Sequence, residues 1–74
     1  MTHHHLTTYR IIRRCTVRAR PAPQGAPIAR VGVGSTFTGM PVEQAPGWVE
    51  QVRDGECAGY LRASCVEPLA ERTV

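Results

Sequence analysis

Gly47-Trp48-Val49-Glu50-Gln51-Val52-Arg53-Asp54-Gly55-Glu56-Cys57-Ala58-Gly59-Tyr60-Leu61 decides the fold. Two strand-like runs flank an Asp-Gly pair, which is a strong short-range signal for a β-hairpin. The same stretch carries the only tryptophan and the second of two tyrosines, so a chain of 74 residues concentrates its largest side chains here.

Working outward, a period-2 pattern begins at Tyr9. Tyr9, Ile11, Arg13, Cys15, Val17 and Ala19 share one face, and Arg10, Ile12, Arg14, Thr16, Arg18 and Arg20 share the other. This alternation predicts a strand with one buried side, bent or bulged near Arg13, where the apolar face is interrupted. Pro21-Ala22-Pro23-Gln24-Gly25-Ala26-Pro27 removes three backbone donors and must be a loop. Ile28 to Val33 reads as a second strand with Ile28 and Val31 facing the core, and Gly32 and Gly34 bracket a tight turn. Ser35 to Val42 reads as a third, carrying Phe37 and Met40. Gln44-Ala45-Pro46-Gly47 turns into the hairpin, whose arms are the fourth and fifth strands. Arg62 to Cys65 is too short for an α-helix and fits a single 3₁₀ turn. Val66-Glu67 is placed to close the sheet before Pro68. Five short strands with closely spaced Gly and Pro turns predict a small all-β barrel, an arrangement that removes exposed strand edges.

Length and composition narrow the function classes. One domain of this size lies near the lower limit for burying a self-sufficient core, so self-association or disulfides would help. No run approaches the ~20 apolar residues of a membrane helix, and no signal peptide is visible. A cytoplasmic or virion-associated location is therefore expected over secretion, with no membrane partner. Every basic residue except histidine is arginine, which together with the Ala, Gly and Pro content points to GC-rich coding, as in some bacteria and their viruses. The net charge of +3 hides an asymmetry. Residues 1 to 30 hold Arg10, Arg13, Arg14, Arg18, Arg20 and Arg30 with no acid, whereas residues 31 to 74 hold three arginines against Glu43, Glu50, Asp54, Glu56, Glu67 and Glu71. Cross-strand ion pairs are expected to absorb much of it.

With the strands placed, Thr16-Val17-Arg18-Ala19-Arg20-Pro21, then Gly34 leading a strand, then Gly47-Trp48-Val49 and then Gly59-Tyr60-Leu61 resemble the bacterial SH3-like domain. The resemblance covers about Cys15 to Pro68. It implies an all-β fold, a small five-stranded SH3-like barrel over residues 9–68 with one short 3₁₀ turn near its C-terminal end. Flexible segments at 1–8 and 69–74 flank it. It also implies Cys15, Val17, Ile28, Val31, Phe37 and Leu61 inward. Arg20 stands where the family usually has Gly before Pro. The chain also carries one residue more than the usual spacing between Trp48 and the second aromatic. Either a bulge near Gln51 or a longer hairpin around Gly55 accommodates it, and the choice decides which of Gln51 and Val52 is buried. The family is often secreted and appended to a cell-wall hydrolase. Neither feature is visible in this sequence, which weighs against a wall-binding role.

Few residues suit catalysis. The only histidines, His3, His4 and His5, sit at the N-terminal end, and the acids are scattered over turns and strand exteriors, so no enzyme activity and no cofactor are expected. Adjacent histidines on an extended segment do not form a tetrahedral metal site by themselves. Cys15 reads as a buried small hydrophobe, and Cys57 and Cys65 would meet if the turn after Leu61 folds back. Trp48 and Tyr60 are the candidate ligand-binding residues by resemblance, as walls of a peptide groove near the turn Gln44 to Gly47 and the loop Pro21 to Pro27. Glu43 and Glu50 would add acceptors for a basic or amino-terminal ligand. The bland alternative is that both aromatics belong to the core. The expected function is a non-enzymatic module for a protein or peptide ligand. A small homo-oligomeric structural or accessory protein, such as a phage-encoded one, is the alternative, with Ile12 as a dimer contact. The second alternative is a nucleic-acid-binding barrel using Arg10, Arg14, Arg18 and Arg20, although aromatics for base stacking are missing from that face.

Overall fold

The computed structural model describes residues 6–69. Seven strands follow in chain order: β1 Thr7–Ile11, β2 Cys15–Arg18, β3 Pro27–Val31, β4 Thr36–Pro41, β5 Trp48–Arg53, β6 Glu56–Arg62 and β7 Val66–Pro68. A single 3₁₀ turn, Ala63–Cys65, separates β6 from β7. All seven strands belong to one antiparallel sheet in the order β3-β2-β6-β5-β4-β1-β7. No helix among the described residues is long and apolar enough to cross a membrane. His3, His4 and His5 and residues 70–74 of the tail lie outside the described residues.

The hairpin around Asp54 and Gly55 forms as its sequence dictates. Arg53 and Glu56 are opposite each other, and the two turn residues have φ of 53° and 79°. Positive φ at both central positions gives the turn twist that matches flanking strands, and Asp-Gly reaches it at low cost. The extra residue of this region is a bulge, not a longer hairpin. Gln51 lies opposite Gly59 while Val52 lies opposite Cys57, so Ala58 is the surplus residue of β6. Gly59 follows it with φ 139°, and a Cβ there would collide with the Val17 side chain.

Five expected strands become seven because the first strand breaks and the chain end joins the sheet. Between β1 and β2 the N–H groups of Ile12 and Arg13 both donate to the Cys65 carbonyl, at 2.8 and 3.3 Å. The alternation survives this step: Tyr9, Ile11, Cys15 and Val17 are buried, and Arg13 points out. β7 then pairs with β1, Val66 opposite Ile11.

This break shapes the sheet. β1 and β2 are joined by only three residues, yet β6, β5 and β4 lie between them in strand order. Four strand spacings on a flat sheet would separate them by roughly 19 Å. Four extended residue steps reach at most about 14 Å. The sheet therefore curls until β1 and β2 approach, while the hydrogen-bonded ladder stays open, with β3 at one edge and β7 at the other.

The core lies on the concave side. Tyr9, Ile11, Cys15, Val17, Val49, Leu61 and Val66 form it, and Val31, Phe37, Ala63 and Cys65 pack against it. The Tyr9 and Phe37 rings, opposite each other on β1 and β4, stack with centroids 5.4 Å apart. Ile28 is a correction: it is 56 % exposed. Val17 pairs with Ala29 and Arg18 with Pro27, so Ile28 is the bulged residue of an edge strand and only the tip of its side chain reaches Gly59. The charge asymmetry is a second correction. Among the described residues one ion pair forms, Arg10 Nε to Glu67 Oε2 at 3.6 Å across β1 and β7. Glu50 lies on the same row as Arg18 with Tyr60 between them, and Glu56 lies opposite Arg53, yet neither acid forms an ion pair with a described residue.

Candidate binding face

Antiparallel register puts directly opposed residues on the same side of a sheet. Val49 and Leu61 are opposite each other and fill the core. The next row, Met40 on β4, Glu50 on β5, Tyr60 on β6 and Arg18 on β2, therefore projects from the convex side. Trp48, two residues before Glu50, lies on that side too. It is 8 % exposed but stands apart from the core cluster. Over it lies Arg62, its cross-strand partner, whose guanidinium carbon is 5.1 Å from the ring centroid.

The backbone fixes this corner of the molecule. The Val42 N–H donates to the Trp48 carbonyl at 3.1 Å, the Trp48 N–H donates to the Ala45 carbonyl at 3.2 Å, and the Ala63 N–H donates to the Gly47 carbonyl at 2.7 Å. The turn Gln44 to Gly47 is thereby tied to the start of the 3₁₀ turn. At the opposite side of the row, Arg18 Nη1 donates to the Gly25 carbonyl at 2.9 Å and anchors the proline-rich loop.

The sequence-derived site residues divide into groups. Trp48, Glu50 and Tyr60 come together on one face. Glu43 and Glu50 line a shallow cavity of about 170 Å³ with Met40, Pro41 and Gln44. The arginine row does not stay together. Arg10 pairs with Glu67 at the β1–β7 edge, and Arg20 is exposed beyond β2. Arg14 and Arg18, by contrast, join Arg62 and Trp48 around a cavity of about 190 Å³. Arg14 also lines an adjoining cavity of about 410 Å³ with Arg30, Thr16 and Val31. Arg30 and Arg62 were not singled out from the sequence. Arg62 follows Tyr60 by two residues, so period 2 places it on the same face. Arg30 depends on the β2–β3 register, which the proline-rich loop leaves undetermined.

The thiols are distributed differently from expectation. Cys15, Cys57 and Cys65 are all free. Cys57 and Cys65 do not pair because β6 runs extended between them. The bulge brings Cys57 to the Tyr60 side, and the Tyr60 phenol is pushed above its ordinary pKa, first by the neighbouring Cys57 thiol, then by partial burial and the Glu50 charge. Cys65 lies beside Cys15 instead. Burial is the main cause raising the Cys15 thiol, and Cys65 adds to it. Among the described residues no group of three His, Cys, Asp or Glu side chains could hold a metal ion.

No family model, no curated protein and no solved structure matches this chain.

Proposed function

We propose that the chain is a non-enzymatic SH3-like binding module, a small barrel whose convex face takes an extended protein or peptide segment. In this reading β2, β6, β5, β4 and β1 are the five strands of the barrel wall, brought round by the three-residue link between β1 and β2, and β3 and β7 flank it. The observation that carries the reading is the row Met40, Glu50, Tyr60 and Arg18, with Trp48 beside it and outside the core cluster. A half-buried aromatic between an acid and a base offers apolar area and hydrogen bonding at small entropic cost, which is why such residues recur at protein interfaces. Panning a random peptide library tests it: related peptides should enrich on the folded wild-type chain and be lost on Tyr60→Ala. Equal enrichment on both proteins would move the binding surface elsewhere.

A second reading, homo-oligomerisation, draws on β3. It is an edge strand on which Pro27 to Arg30 are all exposed, and Ile28 at 56 % and Val33 at 65 % are the most exposed large apolar residues described. Ile12, at 40 %, is less prominent and lies in the link between strands. Edge pairing of two copies would cover β3. Mass in solution decides: a dimer that Ile28→Lys converts to monomer supports this reading, and a monomer at high micromolar concentration removes it.

A further inference from the structure

The depression beside β2 consists of two neighbouring cavities whose linings share Arg14, Cys15 and Thr16. Four arginines border it, Arg14, Arg18, Arg30 and Arg62, and no carboxylate among the described residues does. The one ion pair among the described residues engages Arg10 instead. Guanidinium groups stay protonated at any physiological pH, so the depression holds several positive charges that no carboxylate among the described residues pairs with. An incoming anion would relieve that repulsion and meet planar, multiply donating forks suited to oxygen pairs.

From this arrangement we infer that the ligand segment carries carboxylate side chains where it crosses β2: the partner is an acidic peptide, its acidic stretch seated on Arg14, Arg18 and Arg62. The inference deepens the proposed peptide-binding role and rests on it. The convex face is polarised along one row, from Arg18 through Tyr60 to Glu50, and Glu43 lies beyond. A peptide acidic at one end and neutral or basic at the other fits this polarity and is held in one direction. A uniformly charged phosphate backbone running along this row from Arg18 would meet Glu50 two strand spacings on, and Glu43 beyond it. Trp48, 8 % exposed beneath Arg62, offers no open ring for base stacking, which leaves the half-buried Tyr60 as the one accessible aromatic of this face. Arg10, paired with Glu67, and Arg20, outside both cavities, further interrupt the track that phosphates would follow.

The experiment uses the isotope-labelled full chain titrated by NMR, to millimolar concentration, with three probes: a blocked tetrapeptide of glutamates, its glutamine counterpart and a thymidine tetranucleotide. The glutamate peptide should shift the Trp48 indole N–H and the Nε–H signals of Arg14, Arg18 and Arg62 saturably, and added salt should weaken it. Arg14→Gln and Arg62→Gln, both exposed positions, should each weaken the affinity about tenfold, the loss of one charge-assisted contact. Equal shifts from the glutamine peptide would overturn the acidic-ligand inference and leave the peptide module standing. Shifts from the tetranucleotide alone would overturn it in favour of nucleic acid. No shift from any probe would also overturn it, and the library panning would then decide separately whether the peptide-binding role survives.

Discussion

Arg62 lies over the Trp48 indole, its guanidinium carbon 5.1 Å from the ring centroid, and the two are cross-strand partners on β6 and β5. The only tryptophan is thus partly roofed by a cation and lies outside the core cluster. Arg62→Ala should therefore uncover the ring: tryptophan emission shifts to the red and acrylamide quenching rises, while stability falls by only about 0.5–1 kcal/mol, the scale of a cation–π contact at an exposed site. Unchanged quenching would mean that other side chains seal the indole.

Gly59 should be the least replaceable glycine of the β5–β6 hairpin. Gly59→Ala combines a φ of 139° with a Cβ driven into the Val17 side chain, next to the β6 bulge. Each problem alone costs on the order of 1–3 kcal/mol, so the variant should lose at least about 2 kcal/mol in urea denaturation. Gly32→Ala is the control, because nothing lies within 4 Å of a Cβ there and its φ is ordinary. Its stability should stay within about 0.5 kcal/mol of wild type.

Leu61 and Ile28 separate the core from the edge. Leu61→Ala removes a side chain that is 1 % exposed at the centre of the cluster. It should cost roughly 2–5 kcal/mol. Ile28→Ala should cost less than about 1 kcal/mol, since its side chain is more than half exposed. Equal losses would place Ile28 in the core after all.

The hairpin, the 3₁₀ turn and the alternation of the first strand were legible because each rests on local chemistry: Asp54-Gly55, the short Arg62 to Cys65 segment, and the period-2 run from Tyr9. What was not legible depends on pairing. Ile28 looks like a core residue by type, but its inward position is lost to a bulge that exists only once Val17 pairs with Ala29. The split at Arg13 was expected as a bend, whereas the Cys65 carbonyl that turns it into a break comes from far along the chain. Trp48, Glu50 and Tyr60 were named from the sequence and fall on one face. Arg62 carried a signal, its period-2 spacing from Tyr60, whereas Arg30 joins the groove only through the β2–β3 register.

The three thiols should differ in reactivity. Cys57 is exposed, Cys65 half-buried and Cys15 buried with its pKa raised. A raised thiol pKa leaves less thiolate at neutral pH, and thiolate is the species that reacts. Timed alkylation read by mass spectrometry should label Cys57 first and Cys15 last. The Cys15 rate should keep climbing at pH values where an ordinary thiol has levelled off. Labelling of Cys15 ahead of Cys57 would contradict the burial described.

The most direct test of the binding face is to map a panned peptide onto the chain by backbone chemical-shift changes. The account predicts the largest changes at Met40, Glu50, Tyr60 and Arg18, with the Trp48 indole N–H among them. Changes centred on Ile28 to Val33 with that row silent would contradict it and give the surface to the β3 edge.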